Sequence, residues 1–149
     1  MAPPSLPRLA TIGYERATLD DVISRLRAAQ VEIVVDVRAV AASRRAGFSK
    51  TLLDASLNAA GIGYQHLRGL GTPKAGRDAA RAGRTSEMRA IYEAHLTEPQ
   101  AVVELAEVCD IAAARPAALL CFEAEACRCH RAIVADLIRN RIRCEVVDL

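Results

Sequence analysis

The chain has 149 residues, 52% of them hydrophobic and 26% charged, the proportions of a globular domain with a real core. Aromatics make up only 3% and there is no tryptophan, which argues against a ring platform for single-stranded nucleic acid. The net charge of +2 conceals an uneven distribution: residues 38–50 and 68–84 together carry +8, so the remainder carries −6.

In chain order, "MAPPSLPRLA" has neither a basic n-region nor an apolar h-region, so no signal peptide is expected. "LATIGY" (9–14) reads as a first strand. Thr18 with Asp21 three residues on is a capping-box variant heading a helix with Leu19, Val22, Ile23 and Leu26 on its apolar face. "VEIVVDV" (31–37) is β-branched and nearly continuous, as in a parallel strand buried on both faces. Ser49 is placed to cap a second helix carrying Leu52, Leu53 and Leu57, with Gly61 at its C-terminal stop. "IGYQHL" (62–67) is a third strand.

Residues 68–84 are glycine-rich and basic, and read as a mobile flap. Met88, Ile91, Tyr92 and Leu96 mark another helix. Pro99 starts the next, with Val102, Leu105, Ala106 and Cys109 expected inward. "AALLCF" (117–122) is the most apolar strand and is expected at the centre of the sheet. A helix with Ile133, Val134, Leu137 and Ile138 and a final strand, "CEVVDL", complete the chain.

Strand and helix alternate throughout, the pattern of βαβ units with right-handed crossovers. The expectation is a single three-layer α/β/α domain over 1–149, with an ordered core from about 9 and a mostly parallel, Rossmann-like sheet. No apolar run is long enough for a membrane span. Five unevenly spaced cysteines without an export signal point to reduced thiols and a cytoplasmic protein.

Ligands of open α/β sheets bind beyond the carboxyl ends of the strands. Those ends carry Tyr14, then Asp36 with Arg38, then His66 with Arg68, then Cys121 with Glu123, and both basic segments leave from the same edge. Topology alone therefore places charge and reactive groups on one face.

"LLCFEAEACRCHR" (119–131) is the segment densest in reactive groups. A zinc site from Cys121, Cys127, Cys129 and His130 is disfavoured, because the C-x5-C-x-C-H spacing matches no ribbon or finger. No metal or other cofactor is expected. As a nucleophile site the segment is more natural. Cys129 is expected in the first turn of a helix, where unsatisfied N–H groups favour a thiolate, with His130 and Arg131 as neighbours. Cys121 and Glu123 point to the same side of a strand end, and Glu123 is a candidate acid or base. The bland alternatives are a buried cysteine and a core histidine.

In "VVDVRAVAASRRAGFSK", Asp36 can orient Arg38 or a ligand hydroxyl, and Arg44 and Arg45 can grip phosphate or carboxylate. Function is favoured for Arg38 and Arg44, and solvated surface charge for Arg45 and Lys50. The glycines of 68–84 follow neither the P-loop nor the GxGxxG spacing.

The motifs "TIGYE", "DVR…SRRAGFSK", "GIGYQHLRGLGTPKAGRDAARAG", "IYEAHL" and "LLCFEAEACRCHR" occur in that order. Together they resemble the domain of unknown function family 488. The resemblance implies a three-layer α/β domain. It also implies a polar cluster at Tyr14 and Glu15, Asp36 and Arg38, Ser43 and Arg44, Cys121 and Glu123, and Cys129, His130 and Arg131. The chain departs from the family pattern twice. Ala41 and Ala42 stand where members often have a proline before the Ser-Arg pair, and Tyr14 stands where relatives often have a histidine. The family brings no settled reaction.

The expectation is an enzyme for a small anionic substrate, phosphorylated or nucleotide-like. Catalytic candidates are Glu123, Cys121, Cys129 and His130, and binding candidates are Tyr14, Asp36, Arg38, Ser43, Arg44 and Arg131. A nucleotide- or nucleic-acid-binding module without catalysis is the alternative. Rhodanese-like sulfur or phosphoryl transfer is a minority reading, since Cys127, not arginine, stands six positions after Cys121.

Overall fold

The computed structural model describes residues 5–123 and 130–149. Five strands, β1 (Arg8–Gly13), β2 (Ile33–Asp36), β3 (Gly63–His66), β4 (Ala117–Cys121) and β5 (Glu145–Asp148), form one sheet in the order β3-β2-β4-β1-β5. Every pairing is parallel. Among the described residues the six helices are α1 (Leu19–Ala28), α2 (Lys50–Ala59), α3 (Lys74–Arg81), α4 (Thr85–His95), α5 (Pro99–Ala114) and α6 (His130–Ile142).

The two faces of the sheet follow from strand periodicity. Ala10, Ile12, Val34, Ala118 and Leu120 pack with Val22 and Leu26 of α1 and Leu53 and Leu57 of α2. Leu9, Val35, Leu119 and Cys121 project the other way, against Ala79, Met88, Tyr92, Leu105, Val108 and Ile138 of α3 to α6. This is an α/β fold of three layers. All residues of β2 and β4 are buried, which accounts for their uninterrupted apolar runs. The connections leading from β1 through β2 to β3 place their helices on one face, and those leading back through β4 to β5 place theirs on the other. A single crossover hand requires that division.

The capping box at Thr18 forms: Asp21 N–H donates to Thr18 Oγ1 (3.1 Å) and Thr18 N–H to Asp21 Oδ2 (3.2 Å). Ser49 precedes α2 but does not cap it through its side chain. Its Oγ instead accepts from Ser43 N–H and donates to Ser43 O, both at 3.2 Å, pinning the loop that follows β2. The buried face of α5 is Ala101, Leu105, Val108, Cys109 and Ala112. Val102 and Ala106, expected inward, are exposed, because the helix is rotated from the register that an apolar count suggests.

The largest correction concerns residues 68–84. They form no flap. Arg68–Leu70 is a 3-10 turn and Lys74–Arg81 is the helix α3, packed on α4. Gly69, Gly71 and Gly76 are buried, and the reason is close approach rather than freedom. A Cβ on Gly71 would lie 2.2 Å from Ala39 N and 2.3 Å from Ala39 Cα. The glycines let this segment press directly against the loop that leaves β2.

Candidate functional site

Parallel register brings the ends of four strands to one level: Gly13 aligns with Cys121, and Asp36 with both Leu120 and His66. What each strand carries there decides the chemistry of that edge.

Asp36 is wholly buried and holds Arg38, itself only 6% exposed, in a bidentate pair: Nε to Oδ1 at 2.9 Å and Nη2 to Oδ2 at 2.7 Å. Arg38 Nη1 also donates to Tyr14 Oη (3.0 Å) and Phe48 O (2.7 Å). Four of the five guanidinium N–H bonds are thus directed at protein acceptors. Burial opposes the Arg38 charge, but the hydrogen bonds and charge of Asp36, with help from Tyr14, outweigh it and raise its pKa. Tyr64 Oη donates to Asp36 Oδ2 at 2.5 Å. Burial first, and this bond second, push the Tyr64 phenol up. Of the two roles open to Asp36, orienting Arg38 is the one its geometry supports. Above the pair, the Tyr14 ring stacks on Phe48, with centroids 4.3 Å apart and planes 10° from parallel.

The second group rises from β4 and α6. Arg131 is 1% exposed, and its Nη1 lies 3.2 Å from Cys121 Sγ and donates to Glu123 O. Cys121 Sγ is 3.4 Å from Glu123 Oε2. Cys109 and Cys144 are free and buried, whereas Cys121 lines the cavity described below. The Cys121 sulfur accepts from Arg131. As a thiol it can donate to that carboxylate, and the buried cation beside it stabilises negative charge on sulfur. The expected roles of Cys127 and Cys129 fall outside the described residues.

His130 hydrogen-bonds through Nε2 to Val37 O (2.7 Å) and lies edge-on to Tyr92. A carbonyl only accepts, so Nε2 carries the proton. Burial, reinforced by the Arg131 charge, lowers the His130 pKa from 6.5 to about 4 despite the opposing bond to Val37. A depressed folded-state pKa means that the unfolded chain binds the proton more readily. Stability is therefore expected to be full above about pH 6.5 and to fall as pH drops through 6.5 towards 4. Melting temperatures between pH 7 and 5 should decline less steeply in His130→Gln than in the natural protein. Parallel curves would contradict the assignment.

Between these groups lies a cavity of about 390 Å³. Tyr14, Arg38, Ser43, Arg44, Cys121, Glu123 and His130 line it, so seven of the expected site residues come together. Asp36 and Arg131 sit beneath it as buried supports, which moves Arg131 from the expected position of an anion clamp to that of a partner for Cys121. Ser43 Oγ accepts from Arg45 N–H (3.1 Å) and shapes the loop. Arg45 donates to Ala17 O (2.6 Å), a structural role, while Arg44 is exposed and makes no hydrogen bond or ion pair among the described residues.

The far wall was missed from sequence. Thr72, Arg77, Ala80, Arg81 and Met88 reach the cavity from α3, α4 and the turn before them. Arg77, Ala80 and Arg81 share the i, i+3, i+4 spacing of one helix face. That spacing was the available signal, obscured by glycines read as flexibility.

Among the described residues, no group of three or more His, Cys, Asp or Glu side chains could hold a metal ion, and no helix is long and apolar enough to cross a membrane. No curated protein and no solved structure significantly matches the chain. The family described as Domain of unknown function DUF488 matches residues 18–138, a range that contains every motif quoted above except TIGYE. With that match over most of its length and an α/β fold of three layers, the chain belongs to the DUF488 family.

Proposed function

We propose that the protein is an enzyme acting on a small anionic substrate in this cavity. One observation carries the reading: among the described residues, four arginines, Arg38, Arg44, Arg77 and Arg81, line the space against a single carboxylate, Glu123. Asp36 neutralises Arg38, so the positive field comes from Arg44 and the α3 pair, and low-dielectric walls concentrate it. The location suits a Rossmann-like mode of binding at the carboxyl edge of a parallel sheet.

Glu123 is the acid or base. Cys121, reduced in the cytoplasm where the protein is placed by this reading, is the nucleophile, with Arg131 stabilising charge on its sulfur. His130, neutral at physiological pH, has Nδ1 as its basic nitrogen. Reduced protein is expected to turn over at least one of p-nitrophenyl phosphate, the nucleoside mono- and triphosphates, and common sugar phosphates. Glu123→Gln should lower that turnover by about 100-fold or more. Binding without turnover would favour a non-catalytic nucleotide-sensing module. No binding of any of these anions at low salt would sink the reading.

Sulfur or phosphoryl transfer on a rhodanese-like plan has one observation in its favour, the buried guanidinium 3.2 Å from Cys121 Sγ. It requires Cys121→Ser to abolish turnover of thiosulfate or phosphate esters, and a Cys121→Ser protein that retains activity would remove it.

A further inference from the structure

The cavity has an apolar rim as well as a basic wall. Few large hydrophobic side chains are exposed among the described residues, yet two of them, Val40 at 57% and Phe122 at 42%, stand on this one cavity. Phe122 is placed firmly. Its carbonyl accepts from Glu15 N–H at 2.8 Å, fixing the backbone where β4 ends. Its ring meets Tyr14 edge-on, 5.4 Å between centroids and 74° between planes, and Tyr14 in turn stacks flat on buried Phe48. The ring is braced from behind and left uncovered in front. A rigid, half-exposed aromatic at the edge of a cavity is a surface for stacking another flat ring, and every nucleobase offers one.

The basic wall has a matching peculiarity. Arg77 and Arg81 are four residues apart on α3, so their side chains leave the helix on one face, about 6 Å apart at Cβ. Like charges at that spacing repel. Arg77 is anchored through Nη1 to Thr72 O at 2.9 Å, and Arg81 has only a loose pairing with Asp78 at 3.8 Å. Asp78 also lies 3.6 Å from Lys74 Nζ, so its charge is shared. A phosphate group between the two guanidinium groups would accept from both and remove the repulsion. The volume, near the lower end of the roughly 300–1,000 Å³ usual for small-ligand sites, suits one nucleotide rather than a dinucleotide.

We propose that the ligand of this cavity is a nucleoside monophosphate, its base stacked on Phe122 beside Val40 and its phosphate held by Arg77 and Arg81. The assignment rests on the anionic-substrate reading and narrows it to ligands with a flat apolar part.

Titration calorimetry of the reduced protein with 5′-AMP, 5′-GMP, 5′-CMP and 5′-UMP, alongside ribose 5-phosphate and inorganic phosphate, tests it. At least one nucleotide is expected to bind about tenfold or more tightly than ribose 5-phosphate. Phe122→Ala should erase that preference and leave ribose 5-phosphate binding unchanged, and Phe122→Tyr should keep it. Arg77→Ala and Arg81→Ala should each weaken nucleotide and sugar phosphate alike, about tenfold. Equal binding of nucleotides and ribose 5-phosphate, or a Phe122→Ala protein that retains the preference, overturns the nucleotide assignment and leaves the anionic-substrate reading standing. Full affinity in both arginine variants overturns the placement of the phosphate. Failure of all six compounds to bind overturns the assignment together with the reading beneath it. Phe122, Arg77 and Arg81 all reach the surface, so circular dichroism melts of the variants should match the natural protein.

Discussion

Replacing Asp36 with asparagine is expected to lower stability by about 3–5 kcal/mol, read from the urea midpoint. The substitution preserves shape and removes one charge. Arg38 then remains inside the protein as a cation without its counter-ion, since its other acceptors, Tyr14 Oη and Phe48 O, are neutral. Tyr64 loses a charged acceptor for a neutral one in the same step. A buried pair is weak evidence of net stabilisation, but a buried half-pair is strongly unfavourable. The diagnostic comparison is therefore Asp36→Asn against the double variant Asp36→Asn with Arg38→Met. The double variant should be the more stable of the two, because it removes the stranded charge. A loss below about 1 kcal/mol in the single variant, or a further loss in the double, would show that Arg38 does not depend on Asp36.

The second large effect is expected at Gly71. An alanine methyl there meets Ala39 N, Cα and Cβ at 2.2, 2.3 and 2.6 Å, and two of these are backbone atoms that no side-chain rotation can clear. The turn before α3 has to back away from the loop after β2, with a loss of about 3 kcal/mol or more. Gly61→Ala makes the control. Its φ is +78°, but nothing lies within 4 Å of a new Cβ, so only backbone strain of about 1 kcal/mol is expected. Thermal melts of the two variants should separate clearly, and similar melting temperatures would deny the close approach at Gly71. Any folded Gly71→Ala protein should also bind anions less well, since Arg77 and Arg81 retreat with α3.

These two sites illustrate how far the sequence could be read. The strand ends were legible because β2 and β4 are unbroken apolar runs closed by a polar residue, and a parallel sheet brings such closures to one edge. Asp36, Arg38, Cys121 and Glu123 were found that way, without any motif. α3 was not legible. Its inward positions are Gly76 and Ala79, which carry almost no hydrophobic signal, and the glycines before it permit tight packing while resembling those of a loop. The register of α5 was misjudged for a related reason. Ala101 and Ala112 are small and go inward, while Val102 and Val103 are larger and stay in water. Arg131 is expected beside Cys129 as an anion-binding group, and its burial against Cys121 is set by how α6 packs on β4, which no local pattern encodes.

The strand order also bears on how the chain is made. β1 has two neighbours, β4 and β5, and its residue Leu9 aligns with Ala117 and Val146. β2 reaches β1 only through β4, so nothing translated before Ala117 can join the two halves of the sheet. At about 5–20 residues per second, synthesis takes roughly 5–20 s to travel from Gly13 to Cys121. Throughout that interval the apolar run of β1 has no strand to pair with. A ribosome stalled at the end of α5 would hold a β2–β3 pair and an orphaned β1, a species inviting chaperone capture. The last strand to enter the centre of the sheet is thus the one that also delivers Cys121, and the cavity cannot exist before the fold is nearly finished.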